Sequence, residues 1–211
     1  MKYTATAVQL ALRSSFVAGT GFDPARFAAN FDHTEALLRR LAAETGSRLY
    51  LLPEFSFQGW AMGVPLEHWN ASAVRMPGPE PDRIGRLARA LDASVAGTLF
   101  ESIPEFPGRH FLTGFVVAPS GELVLRYRKL YAFSAKTRPG DVYERWMDLF
   151  GRESLFPVID TPLGRLGMMI AWDAQFPEGA RALAMRGADV ILHPLGSAFG
   201  TADRGSGFTH L

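Results

Sequence analysis

Cysteine is missing from all 211 residues, which removes disulfides, thiolate metal sites and any thiol nucleophile from the available chemistry. An excess of charge of one sign is missing too: 22 Lys and Arg face 21 Asp and Glu, a formal net of +1. No block of like charges marks a nucleic-acid footprint or an anionic membrane surface, so a small, roughly neutral substrate suits the balance better. No apolar run reaches the ~20 residues that a bilayer requires. The first residues enter strand-like alternation rather than the apolar centre of a secretion signal. The expectation is a cytoplasmic protein with neither nucleic-acid nor membrane partners.

What is present suits one sizeable core, because 47% of the residues are hydrophobic and nothing divides the chain. A single domain over residues 1–211 is expected. Alternation predicts a strand over 3–10 and a loop over 14–22. Asp23-Pro24 reads as an N-cap followed by proline at the first helical position, with Phe27, Phe31, Leu37, Leu38 and Leu41 mostly on one face and an end near Gly46. A strand over 48–52 closes at Pro53-Glu54. Residues 76–81, rich in proline, read as a linker into a helix striped by Ile84, Leu87, Ala88 and Leu91, followed by a strand over 94–100. Hairpins are predicted over 111–128 and 156–170, the first ending at Lys129.

The chain is organised around residues 166–194. An apolar run ends at Ala171, a short turn follows, Pro177 opens a helix, Gly187 stops it, and 190–193 form the next strand. In such βαβ units the carboxyl ends of strands collect ligands and reacting groups. Glu54, Lys129 and Ala171 all fall at such ends. Taken singly, each has an ordinary explanation: a solvated carboxylate, a basic strand end shared with Arg126 and Arg128, and a packed alanine.

Taken together, Leu51-Leu-Pro-Glu-Phe55 leading to Gly59, Arg126-Tyr-Arg-Lys-Leu130, and Gly167-Met-Met-Ile-Ala-Trp-Asp-Ala-Gln-Phe-Pro-Glu178 resemble the nitrilase, or carbon–nitrogen hydrolase, superfamily, in that family's order. The resemblance implies an α/β fold of the four-layer αββα sandwich type. It also implies a Glu, Lys, Cys triad acting on a small amide, carbamoyl or nitrile substrate with no cofactor and no metal, and a homo-oligomer. By that likeness Glu54 is the general base, Lys129 the cation, position 171 the nucleophile and the Trp172 backbone N–H an oxyanion donor. Tyr131 joins the substrate-binding residues, and Glu144 is preferred over Glu153 for the further glutamate that many members carry, with a surface ion pair as its other reading.

The sequence departs from that pattern at Ala171, which has no attacking atom, so the chain as written is expected to be inert by this route. Two accounts follow: replacement of a Cys that keeps the pocket and lets bound substrate persist, favoured by the retained Glu54 and Lys129, or a natural pseudoenzyme or binding protein. Family members also continue past His193-Pro194, so a chain ending at Leu211 is expected to lack the C-terminal part and to expose a sheet edge. A metal-dependent phosphoesterase using Glu54, Asp173, Asp189 and His193 stays as an alternative, although Asp189 and His193 do not form a close-spaced ligand cluster. A serine hydrolase using Ser134 or Ser197 is weaker. No Gly-x-Ser-x-Gly turn accompanies either, and Gly205-Ser-Gly207 lies in a loose terminal stretch.

Overall fold

The structure is a computed structural model and describes residues 2–11, 13–61, 63–132 and 137–196. Ser134, Ser197 and Gly205-Ser-Gly207 lie outside the described residues. Three strands come first: β1 (Ala5–Ala7), β2 (Phe16–Val17) and β3 (Gly21–Phe22), the last two a small antiparallel pair inside the expected loop. Helix α1 (Pro24–Thr45) forms as predicted. Asp23 accepts from the N–H groups of Ala25 and Arg26, and Gly46 ends the helix in the left-handed region at φ 58°. Its inner face buries Phe27, Phe31 and Leu38, with Leu37 and Leu41 partly covered.

Strand β4 (Leu49–Leu51) follows, then α2 (Leu66–Ser72) and α3 (Pro79–Leu91). Helix α3 starts inside the predicted linker, because Pro79 and Pro81 both fall in a first turn, where the missing N–H groups have no helical acceptor to lose. Strands β5 (Ser94–Glu101), β6 (Phe111–Val117) and β7 (Leu123–Arg128) complete a five-stranded sheet of order β1-β4-β5-β6-β7. Helix α4 (Tyr143–Phe150) and strands β8 (Val158–Thr161) and β9 (Gly164–Met168) come next. After α5 (Pro177–Met185), β10 (Val190–Leu192) pairs in parallel with β9, giving a second sheet of order β10-β9-β8.

Every residue of β5 is buried, and the strand's two-residue period divides them between two cores. Val95 and Leu99 face the α1 and α3 side with Phe31, Leu38, Ile84 and Leu87. Ala96 and Phe100 face the other way and pack with Leu166, Met168 and Ile170 of the second sheet's central strand. The two sheets come close at Gly114 of β6, where a Cβ would run into the Met168 sulfur. Beyond the second sheet, Leu183 of α5 is fully buried and packs over Gly167. The layer order is therefore helix, sheet, sheet, helix, the expected αββα sandwich.

Both helices that the sequence reading missed are short. Helix α4 is held by aromatic packing rather than by a long apolar stripe: Trp146 is fully buried against Phe106 and Phe111. Helix α2 supplies Trp69 and Asn70 to an enclosure around His110, whose Nδ1–H donates to Asn70 Oδ1 at 2.8 Å while Phe100 meets the ring edge-on. Burial pushes the His110 pKa down from 6.5 to about 4. The folded state thus takes up this proton less readily than the unfolded chain. The stability it provides is intact above 6.5 and is lost as pH falls toward 4, on the order of 3 kcal/mol in all. Replacing His110 with Gln, which cannot be protonated there, should flatten the fall in unfolding free energy over that range, read by urea titration. Equal slopes for the two proteins would refute it.

Candidate active site

The strand ends converge. After β4 the chain turns through Pro53 and Glu54 to Phe55, which holds a left-handed φ of 64° and donates its N–H to Thr98 Oγ1 of β5 at 3.0 Å. Lys129 leaves the end of β7 with its N–H on the Leu112 carbonyl. Although β5 and β6 lie between β4 and β7, Lys129 Nζ donates to Glu54 Oε1 at 2.7 Å, with the side chains only 7% and 3% exposed. Burial pushes the Glu54 carboxyl up against the opposing pull of the Lys129 ammonium. A carboxyl so placed is a more ready proton acceptor near neutral pH than a solvated one.

The third strand end is an elbow. Ile170 precedes a 3-10 turn over Ala171–Gln175, and Ala171 lies at φ 42°. Its N–H donates to the Pro194 carbonyl at 3.0 Å, and its carbonyl accepts from His193 Nε2 at 3.0 Å. Two links tie this elbow to the buried pair. Asp173 Oδ1 accepts from the Tyr131 N–H at 2.9 Å, two residues beyond Lys129, and the Gly196 N–H reaches Glu54 Oε2 at 3.4 Å. The structure thus brings together Glu54, Lys129, the Ala171 elbow and the backbone of Tyr131, whose ring stacks on Phe176 at 3.9 Å. Trp172 is 41% exposed beside them.

Glu144 is not part of that group. It is exposed on the first turn of α4 and makes no hydrogen bond or ion pair with Glu54 or Lys129. Glu153 pairs instead with Arg186 at the surface. The carboxylate that does approach is Asp173, only 2% exposed, whose other oxygen accepts from the Tyr127 hydroxyl at 2.7 Å and the Ile170 N–H at 2.9 Å. Burial raises its pKa, against the pull of those donors and of Lys129. In the sequence alone Asp173 stands out only as a ligand for the metal alternative. The signal that could have identified it is its place at the third position of a turn, where a carboxylate accepts from the preceding backbone N–H.

The solvated basic strand end is also overturned. Arg128 is 4% exposed and grips Glu101 through two hydrogen bonds of 2.7 and 2.8 Å, with Trp146 and Phe150 against its guanidinium. The metal alternative finds no cluster among the described residues. Asp189 accepts from the Arg165 N–H at the start of β9, whereas His193 sits past the far end of β10 at the elbow.

Comparison with known proteins agrees with this architecture. A family model described as carbon-nitrogen hydrolase matches residues 4–206. A formamidase of Bacillus cereus is 30% identical over 154 residues, covering 72% of this chain and 42% of the relative. The chain spans about half the length of the curated relatives it matches. Among solved structures, a cysteine-to-alanine mutant of the Nesterenkonia AN1 amidase from the nitrilase superfamily superposes with a TM-score of 0.64 at 21% identity, over 94% of this chain and 67% of that one. A double mutant of that amidase, with glutamine for a glutamate and alanine for a cysteine, is in complex with acrylamide. It superposes with a TM-score of 0.60 at 24% identity, over 84% and 62%.

Proposed function

Because this chain belongs to the carbon–nitrogen hydrolase family, we propose that it is an amidase-type site for a small amide, carbamoyl or nitrile group, lacking its nucleophile. The observation that carries this reading is the buried Lys129 to Glu54 contact of 2.7 Å beside an elbow whose residue 171 is alanine. In this reading Glu54 is the general base and acid. Lys129 offers fixed positive charge to a developing oxyanion, the Trp172 N–H adds a donor, and Tyr131 borders the substrate. With cysteine at 171, the thiol would lose its proton to Glu54 and attack the carbonyl carbon. Glu54 would return the proton to the departing nitrogen, ammonia would leave, and water activated by Glu54 would cleave the thioester. With alanine none of these bonds can form, so substrate is held and not consumed. The acrylamide complex of the Nesterenkonia double mutant supports the idea that a site without its cysteine retains an amide.

A second reading, a binding protein or natural pseudoenzyme on the same fold, is favoured by Ala171 itself. Genomic DNA that encodes Cys at 171 would select the enzyme, and Ala the pseudoenzyme. A single domain across 1–211, homo-oligomeric assembly and a cytoplasmic location belong to the proposal, the second resting on family resemblance. Among the described residues no helix is long and apolar enough to cross a membrane.

Retained binding is directly measurable. Titration of the chain with formamide, propionamide, acrylamide, a carbamoyl amino acid and a small nitrile should give saturable shifts of the Ala171 methyl resonance with no ammonia released. A flat response to all five would sink the proposal.

A further inference from the structure

The tetrapeptide after β10 touches both the nucleophile position and the base. Residue 171 sits at φ 42°, a conformation that disfavours non-glycine residues. Both of its backbone polar groups are taken up by His193 and Pro194, each at 3.0 Å. Two residues on, Gly196 donates to Glu54 Oε2, and a Cβ on Gly196 would lie 2.9 Å from the Glu54 carbonyl oxygen, so only glycine permits that approach. A carbonyl oxygen can only accept, so the His193 ring nitrogen facing Ala171 must be Nε2–H.

The direction of the residue 171 carbonyl has a chemical consequence. That C=O and the N–H of Trp172 belong to one planar trans peptide and point in opposite directions, so fixing the oxygen fixes where the N–H points. A donor on the oxygen also polarises the peptide and strengthens the N–H as a donor in its turn.

We propose that His193 is a positioning residue which, through Nε2–H on the carbonyl of residue 171, aims and strengthens the Trp172 N–H toward the oxyanion of the reacting substrate. The inference rests on the functional reading above and goes beyond it by assigning the element that sets its oxyanion donor.

Two measurements test it. In the chain as it stands, long-range 1H–15N correlation of the His193 ring should show hydrogen on Nε2. A neutral ring with hydrogen on Nδ1 and a bare Nε2 would overturn the proposal. In the Ala171→Cys background, His193→Ala should lower kcat about 10- to 100-fold with KM within about twofold. His193→Gln, whose side-chain amide reaches the former Nε2 position, should recover most of the loss. Undiminished kcat in the His193→Ala variant would also overturn it. If Ala171→Cys alone is inert, the functional reading fails and takes the oxyanion role of His193 with it, whereas an active Ala171→Cys variant whose kcat His193→Ala leaves undiminished overturns this proposal alone.

Discussion

Ala171→Cys should convert the chain into an ammonia-releasing hydrolase, with a rise in amide turnover on the order of 10^5- to 10^6-fold over the unaltered chain, the scale set by removing a covalent nucleophile elsewhere. The substitution is structurally mild. Cysteine adds one sulfur atom and no branch at Cβ, so the left-handed backbone at 171, at φ 42°, is no harder for it than for alanine. The elbow's hydrogen bonds to Pro194 and His193 involve backbone atoms only on the 171 side and persist. Glu54 is the base on hand, its carboxyl pushed up by burial and therefore able to take a thiol proton near neutral pH. Adding Glu54→Gln to Ala171→Cys should return turnover to background, as an amide side chain cannot accept that proton. Ala171→Ser is the matched control. A hydroxyl is far less acidic than a thiol and needs more help than one carboxylate beside an ammonium gives, so its gain should be small. The assay is ammonia released from the five probes named above, and an inert Cys variant that still folds would end the hydrolase reading.

How much of this was legible in the sequence follows from what each signal depends on. Helix α1 was readable because its cap, its Pro24 and its apolar face are all local. The hairpins were readable because alternation and turn residues are local as well. Glu54 and Lys129 were legible as strand ends carrying recognisable motifs, but not as a 2.7 Å contact, which depends on sheet order and on how far each side chain reaches past its strand. Helices α2 and α4 escaped because seven and eight residues are too few to display a helical period. Their stability comes from aromatic partners distant in sequence, such as Phe106 and Phe111 around Trp146. Asp173 and His193 were hidden for the same reason, since what makes each matter is a partner from another element. Arg128 read as surface charge because nothing near it in sequence announces Glu101.

Lys129→Met should destabilise the fold by about 3–5 kcal/mol at neutral pH, because it strips a buried carboxylate of its ammonium while leaving the carboxylate in place. The size of the loss depends on pH, with a sign fixed by Glu54. Its folded pKa already lies above the ordinary 4.5 because of burial, and Lys129 is the largest influence holding it down. Without the ammonium it rises further. A group whose folded pKa is raised keeps its full contribution below the unfolded value and loses it as pH climbs through the folded one. The variant's deficit relative to the parent should therefore be small near pH 4.5, where Glu54 is protonated in the variant's fold, and grow toward pH 7.5. His110 contributes equally to both proteins and cancels in the difference. Urea unfolding of each at the two pH values gives the four numbers required. Adding Glu54→Gln to Lys129→Met removes the stranded acid and should recover most of the stability while leaving Ala171→Cys without turnover. That separation matters, because it distinguishes a pair kept for the fold from a pair whose charge serves a reaction. A deficit that did not change with pH would mean that packing of the Lys129 stem, not its charge, is what Glu54 relies on.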